Sequence, residues 1–250
     1  MVHDMNKKTV EELLLEKDLE SAFIAVYEDT AKLAHSHQLE QEDIDGYLFI
    51  YDLAIRSGEV QYEGNNLACI ELLTVNAYRF SPYYWRGRPH ADYLFTLLED
   101  KVTFKKAQKA DLYFELGTYY RSISRYQKAL TCFENAFALK KEEGSLYYIV
   151  LTERFLHPDK TIEIKNTSLI SPRIKLALQG KGGLKIDPVE KSEEFLAVYD
   201  EVHEEAMEII EKEGDLHLCF QMWNILTELY AKRGIFWRSP ALMNPNVRFD

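Results

Sequence analysis

The chain has 250 residues, of which 46% are hydrophobic and 28% are charged, a composition typical of a globular protein with a substantial core. Its formal net charge of −11 argues against nonspecific binding to nucleic acid, because neutralising phosphates requires a surplus of Lys and Arg on some face. The sequence shows no apolar run of about 18 residues and no secretory leader. We therefore expect neither nucleic acid nor a membrane as a partner, and a cytoplasmic location.

Helical periodicity in the N-terminal part of the chain predicts four helices. Their apolar residues recur at spacings of three and four, which places them along one side of each helix. The predicted helices span about 9–37, 41–56, 65–79 and 90–100. Between the last two, the stretch SPYYWRGRP at 81–89 interrupts the pattern because it contains two prolines and Gly87.

The segment 78–90 is a first candidate for a partner-binding surface, because it interleaves arginines with tyrosines and a tryptophan. Rigid aromatic rings and guanidinium groups are enriched in binding hot spots. The candidate contacts are Arg79, Tyr84, Trp85, Arg86 and Arg88. Alternatively, the aromatic residues fill the junction between helix pairs, and the arginines face water or pair with nearby acids.

Residues 110–139 carry the clearest pattern, two amphipathic helices separated by 122–124. The first places Leu112, Tyr113, Leu116, Tyr119 and Tyr120 on one side, and the second, from about Arg125, does the same with Tyr126, Ala129, Leu130, Phe133, Ala136 and Phe137. Gly117 inside the first helix would cost about 1 kcal/mol relative to Ala. We therefore expect the second helix, near Ala129, to approach the backbone at Gly117.

These residues also resemble a known repeat family. Tyr113, Leu116, Gly117 and Tyr120, followed by Ala129, Phe133 and Ala136, are similar to the tetratricopeptide repeat, a helix pair of about 34 residues. The clearest unit is 110–143. Weaker echoes of the first-helix spacing are Tyr147 with Val150, and Trp223 with Leu226, Thr227 and Tyr230.

The resemblance implies an all-α fold, a right-handed α-solenoid of stacked antiparallel helix pairs. Such stacks form a concave groove that binds a protein or peptide without a cofactor. The groove-lining positions of the family correspond to Asp111, Phe114, Thr118 and Arg121. In repeats that clamp C-terminal carboxylates, Lys and Asn stand where this chain has Phe114 and Thr118, so the resemblance does not extend to that ligand.

The rest of the chain divides into a helix at 144–156, an irregular connection at 158–186 and a C-terminal part at 187–250. The alternation at 161–165 allows a short hairpin within the connection, and Ser171 with Pro172 can open a short helix. The predicted organisation is therefore N-terminal helical repeats at 1–157, the connection, and a C-terminal helix pair with a capping tail.

The C-terminal part begins with an acidic helix. Asp187 is placed as its N-cap, Pro188 as its first residue and Glu190 as the partner in a capping box, and Gly214 ends it. Between residues 187 and 215, twelve carboxylates face only two lysines, so this helix either attracts a basic partner or forms a solvated face. After a last helix at 215–233, the tail is expected to pack Ile235, Phe236, Trp237, Leu242, Met243 and Phe249 against the outer repeat.

No catalytic or metal-binding signature is evident. The Glu-x-x-His pairs of di-metal helical bundles do not occur, although Asp200 and His203 have that spacing with Asp in place of Glu. His35 and His37 point to different sides of a helix, and QGKGG at 179–183 is best interpreted as a flexible linker. Cys69, Cys132 and Cys219 are expected to be reduced core thiols.

The sequence therefore predicts a protein- or peptide-binding scaffold or adaptor without catalytic activity, cofactor or metal. Two alternatives stay open. One is a regulatory module that senses a short peptide, and the other is a helical enzyme that uses dispersed carboxylates. The oligomeric state is also open, and a homo-oligomer is compatible with the sequence.

Overall fold

The computed structural model describes residues 65–79, 81–100, 104–164, 167–213 and 218–249. All regular secondary structure in these ranges is helical, which confirms the all-α class for the described part of the chain. No described helix is long and apolar enough to cross a membrane. The chain forms two compact units, residues 1–104 and 105–250, each of which is treated by itself below. The helices predicted at 9–37 and 41–56 lie outside the described residues.

In the first unit, helix α1 spans Asn65–Arg79 and helix α2 spans Arg88–Asp100, close to their predicted bounds. The Pro- and Gly-containing stretch between them forms a 3-10 turn, Tyr84–Gly87. Helices α1 and α2 pack against each other and against this turn. The buried apolar residues of the unit are Ala68, Val75, Tyr78, Trp85, Ala91, Leu94, Leu97 and Leu98.

In the second unit, helices α3 (Lys106–Ser122) and α4 (Tyr126–Leu139) form the predicted pair, and they pack directly on each other. Both predicted apolar stripes are buried, because each helix turns them toward the other. The buried residues of the two stripes are Leu112, Tyr113, Leu116, Tyr119, Tyr120, Tyr126, Ala129, Leu130, Phe133 and Ala136. Phe137 is half-buried.

Gly117 is required by a close contact with Phe133. A Cβ atom placed at Gly117 would lie 2.6 Å from Cε1 of the Phe133 ring, closer than carbon atoms can approach. The prediction that the second helix approaches the backbone at Gly117 is confirmed, and the contacting residue is Phe133, one helical turn beyond Ala129. A small residue on α3 makes room for a large one on α4.

Helix α5 (Glu143–Leu156) packs on α4, and a short helix α6 (Pro172–Leu178) packs on α5. Ser171 caps α6 by accepting a hydrogen bond from the Ile174 amide, as the sequence suggested. The core between α5 and α6 consists of Leu146, Val150, Ile174 and Ala177. The connection at 158–186 therefore contains α6 and a 3-10 turn at Thr167–Leu169, and its described residues include no hairpin.

The acidic helix α7 spans Glu193–Glu213 and packs on helix α8, Leu218–Lys232. The predicted start at Asp187 was wrong, because Pro188–Lys191 is a separate 3-10 turn. Asp187 caps that turn through the Val189 amide, while the Ser192 hydroxyl accepts a hydrogen bond from the Phe195 amide at the start of α7. Glu190 makes no capping box. The side of α7 that faces the core carries Phe195, Tyr199, Val202 and Ala206, which recur at helical spacing and are all buried.

The tail after α8 packs only in part as predicted. Ile235 and Trp237 are buried, but Phe236 is 85% exposed and Leu242 is 67% exposed. The Trp237 amide donates to the Ile235 carbonyl at 3.2 Å, which closes a tight three-residue turn centred on Phe236, and the Phe236 side chain lies on the outside of that turn. A one-turn helix, α9 (Pro240–Met243), follows.

Candidate functional site

The four predicted groove positions lie along one side of α3, because spacings of three and four residues align on a helix. Asp111 is exposed, and Phe114, Thr118 and Arg121 are half-buried. The Asp111 carboxylate lies 3.4 Å from Lys140 Nζ, and the Thr118 hydroxyl donates to the Glu115 carbonyl at 2.7 Å. The side of α3 that carries these four positions, a half-exposed stripe distinct from the buried apolar one, is therefore accessible along its length. The side chains of Asp111 and Thr118 contact nearby groups of the same unit.

An aromatic cluster supports this stripe from α4 and α5. The rings of Phe114 and Tyr148 meet edge to face at 5.7 Å, and Phe133 stacks on Tyr148 at 5.0 Å. Offset and edge-to-face arrangements at such distances are favourable. Phe114 thus contributes both to the packing of three helices and to the half-exposed surface of α3.

Arg121 differs in its surroundings from four of the other arginines of this unit. Its guanidinium lies 5.7 Å from the centre of the Tyr148 ring, and no carboxylate among the described residues is within ion-pair distance. Four other arginines of the unit each have a carboxylate partner: Arg125 with Asp200, Arg173 with Glu143, Arg233 with Glu201 and Glu205, and Arg238 with Asp187. The Arg121 side chain is therefore held over an aromatic ring with its charge uncompensated by a described neighbour.

In the first unit, the 78–90 segment divides into buried and exposed parts. Trp85 is buried, and the ring of Tyr84 meets it edge to face at 5.4 Å. Arg86 is exposed and its guanidinium lies 4.4 Å above the Tyr83 ring. The remaining candidates, Arg79 and Arg88, are half-buried. Trp85 thus packs as the alternative interpretation held, and Arg86 is the most accessible member of this candidate surface.

The structure also reveals a buried carboxyl group that the sequence did not predict. Glu190 Oε2 accepts hydrogen bonds from the hydroxyls of Ser124 at 2.9 Å and Tyr126 at 2.7 Å, and Glu190 Oε1 accepts one from Trp237 Nε1 at 3.0 Å. These four residues are all buried and are called the Glu190 cluster below. The cluster joins the turn after α3, the start of α4, the 3-10 turn before α7 and the C-terminal tail.

Burial shifts the protonation of this cluster. It raises the pKa of Glu190, although the hydrogen bonds from Trp237, Tyr126 and Ser124 oppose the shift by favouring the ionised form. Burial also raises the pKa of Tyr126 well above its ordinary value, and the neighbouring Glu190 adds to that effect. The Tyr126 hydroxyl therefore stays protonated and donates.

A second carboxylate, that of Asp187 at the start of the same turn, binds the tail through Arg238. Its Oδ2 accepts hydrogen bonds from the backbone amide of Arg238 at 2.7 Å and from Arg238 Nε at 2.9 Å. Although burial raises the pKa of Asp187, the bonds from Arg238 and from the Val189 amide outweigh it and hold the value below the ordinary range. Glu190 and Asp187 thus face opposite electrostatic surroundings three residues apart.

The Asp200 and His203 pair does not form a ligand site. His203 is buried, its Nδ1 donates to the Tyr199 carbonyl at 2.7 Å, and burial lowers its pKa to about 4. The Asp200 carboxylate lies 3.7 Å from Arg125 instead. Within the described ranges, no three His, Cys, Asp or Glu side chains are grouped so that they could hold a metal ion.

The other candidate metal-binding or reactive residues are only partly described. Cys132 is buried, in agreement with the predicted core position. The side chains of Cys69 and Cys219, and all of His35 and His37, lie outside what the structure describes.

Comparison with known proteins adds no identification. No protein-family model, curated protein or solved structure matches the chain significantly.

Proposed function

We propose that this chain is a protein- or peptide-binding helical-repeat scaffold, without catalytic activity of its own, and that α3 to α6 stack in the manner of tetratricopeptide repeats. The observation that carries the proposal is the half-exposed stripe on α3, which ends in an arginine without a carboxylate partner among the described residues. A protein partner would supply the missing acceptor.

The helix pair α3–α4 supports the repeat part of the proposal. The positions that resemble the family are its buried positions, and the contact of Gly117 with Phe133 pairs a small residue with an aromatic one, as the family pattern does. Successive helices also pack on their immediate neighbours, α3 on α4, α4 on α5 and α5 on α6. Packing between sequential helices is the arrangement on which an α-solenoid is built.

The chemistry of the stripe supports the binding part. Phe114 and Tyr148 offer partly exposed rings that are fixed by packing, so little side-chain entropy is lost when they are covered. Arg121 adds a guanidinium fork that can donate two parallel hydrogen bonds to a carboxylate or to backbone carbonyls. A partner that places an apolar side chain beside an acceptor group fits this surface. The exposed Arg86 of the first unit is proposed as a further contact.

Affinity capture from a native lysate tests the proposal. Wild type is compared with Arg121→Glu and with the double variant Arg86→Glu, Arg88→Glu, and each captured protein is quantified by mass spectrometry. Lys175→Glu is the matched control, since it makes the same charge change at an exposed position of α6. We expect a partner that wild type and the control retain and that Arg121→Glu loses. Equal capture by all variants, with unchanged helical circular dichroism, would contradict the proposed surface.

The capture should be followed by a binding measurement with purified components. The identified partner segment is titrated against wild type and Arg121→Glu by calorimetry, and removal of one desolvated charged contact should weaken binding by about 2–5 kcal/mol. Light scattering of the unliganded chain determines whether the scaffold is a monomer or a homo-oligomer.

A further inference from the structure

The C-terminal segment 235–244, called the strap below, is fastened to the second unit at three places. Trp237 donates to Glu190, Arg238 binds Asp187, and the Asn244 side chain pairs with the backbone of Lys185 in both directions, at 2.7 and 2.9 Å. All three fastening points lie on the short stretch 185–190. That stretch is anchored in turn, because Lys191 Nζ donates to the carbonyls of Phe155 and Leu156 at the end of α5.

Neutral groups alone hold the Glu190 carboxyl. Its hydrogen-bond donors are two hydroxyls and an indole, and no cation among the described residues lies within ion-pair distance of it. The nearby charged groups are committed elsewhere. Lys191 binds the α5 carbonyls, Arg238 binds Asp187, and Arg125 binds the Leu196 carbonyl and Asp200.

The other ionisable groups around Glu190 do not neutralise it either. Tyr126 stays protonated. Asp187 carries a like charge, which disfavours ionisation of Glu190, and Arg121 acts on the neighbouring Tyr126. An ionised Glu190 beneath the strap is thus a buried charge that only neutral dipoles stabilise.

We propose that docking of the strap takes up a proton at Glu190, so that the strap is held most tightly when this carboxyl is neutral and is released as the pH rises. With Trp237 removed from the carboxyl, water can reach Glu190 and stabilise its charge. With Trp237 in place, the neutral acid satisfies the same geometry: its hydroxyl can donate to the Tyr126 or Ser124 oxygen, while its other oxygen accepts from Trp237.

The direction in which docking changes with pH follows from the linkage between proton binding and docking. A carboxyl whose pKa is raised in the docked state favours docking most below its ordinary pKa, and this preference is lost as the pH rises through the raised value. Within that window, one coupled proton changes the ratio of docked to released strap by up to about tenfold per pH unit. Asp187 remains ionised in this pH range and keeps its bonds to Arg238. The strap therefore loosens gradually as the pH rises and does not detach in one step.

Hydrogen exchange of the full-length chain, read by mass spectrometry on peptides covering the strap, tests the proposal. Protection factors are measured from about pH 5 to pH 8 and corrected for the intrinsic pH dependence of exchange. For wild type we expect protection that falls with rising pH. Glu190→Gln, which cannot ionise, should give protection independent of pH. Asp187→Asn should lower protection at every pH and, because it removes a like charge beside Glu190, move the fall to lower pH without changing its slope.

A flat wild-type profile, or the same slope in wild type and Glu190→Gln, would overturn the proposal. If Glu190→Gln does not fold, Tyr126→Phe gives an independent reading. It removes a donor that favours the ionised carboxyl, so the fall in protection should move to higher pH. An unmoved fall would equally overturn the proposal.

Discussion

The α3–α4 pair and the Glu190 cluster are both buried parts of the second unit, but they are assembled in different ways. The helix pair buries two periodic stripes that lie close together in the sequence and contact each other directly. The cluster joins residues that are 66, 64 and 47 positions apart, and each makes one specific hydrogen bond. Periodic burial can be recognised in a sequence, whereas a polar contact between distant segments leaves no local pattern.

The largest effect should come from breaking the centre of the helix pair. Phe133→Ala removes a fully buried ring that contacts Gly117, Phe114 and Tyr148, and we expect the free energy of unfolding to fall by about 3–5 kcal/mol. Urea unfolding followed by circular dichroism measures the loss. Phe137→Ala, one turn further along the same helix and half-buried, is the matched control and should cost clearly less. Equal losses would show that the pair has no dominant contact.

The next largest effect should come from the cluster. Trp237→Phe keeps an aromatic ring but removes the donor to a buried Glu190 oxygen, and leaving that acceptor unsatisfied should cost about 1–3 kcal/mol. Trp223→Phe makes the same chemical change on α8, where the ring is half-buried against Phe249, and serves as the control. If both variants unfold at the same urea concentration, the indole hydrogen bond contributes nothing measurable.

A smaller effect on stability is expected from substitution of Gly117. The variant Gly117→Ala gains about 1 kcal/mol of helix propensity but forces the Phe133 ring to move, at about 1–3 kcal/mol, so a small net destabilisation is expected. In a Phe133→Ala background no ring atom remains beside position 117, and the same substitution should stabilise the protein. A double-mutant cycle by thermal unfolding measures this change of sign. Without a change of sign, the close contact would not be the reason for the glycine.

The smallest effect is expected at the surface. Lys140 lies between Asp111 and Glu142, and these carboxylates raise its pKa, chiefly through the hydrogen bond to Glu142. All three side chains are exposed and screened by water, so Lys140→Ala should leave the melting temperature unchanged within error. A clear decrease in the melting temperature would mean that the ion pairs of Lys140, including the one with Asp111 at the end of the proposed groove, stabilise the fold.

The sequence predicted those parts of the fold that depend on periodicity. The bounds of α1, α2, α4 and α5 and the buried stripes of α3 and α4 agree with the predictions, and the cap of α6 followed from Ser171 and Pro172. The start of α7 was placed too early, because Asp187, Pro188 and Glu190 make a convincing local cap pattern. Their actual partners, Ser124, Tyr126, Trp237 and Arg238, are remote in sequence.

The candidate site shows the same limit. Spacing placed Asp111, Phe114, Thr118 and Arg121 along one side of α3, since a helix fixes such relations locally. The absence of a carboxylate beside Arg121 within the described residues could not be predicted, because it depends on the side chains that α4 and α5 bring near it. In the tail, composition indicated burial of all apolar residues, but the tight turn between Ile235 and Trp237 leaves Phe236 exposed.

The separation of the Glu190 cluster along the chain also sets an order of events during synthesis. The α3–α4 pair is complete once Leu139 has been added, and short-range helical contacts form early and fast. Glu190 can acquire its indole partner only after Trp237, which lies 47 residues further along the chain, has left the ribosome. Until Glu190 emerges, the hydroxyls of Ser124 and Tyr126 lack their buried acceptor, and until Trp237 emerges the Glu190 carboxyl lacks its indole donor.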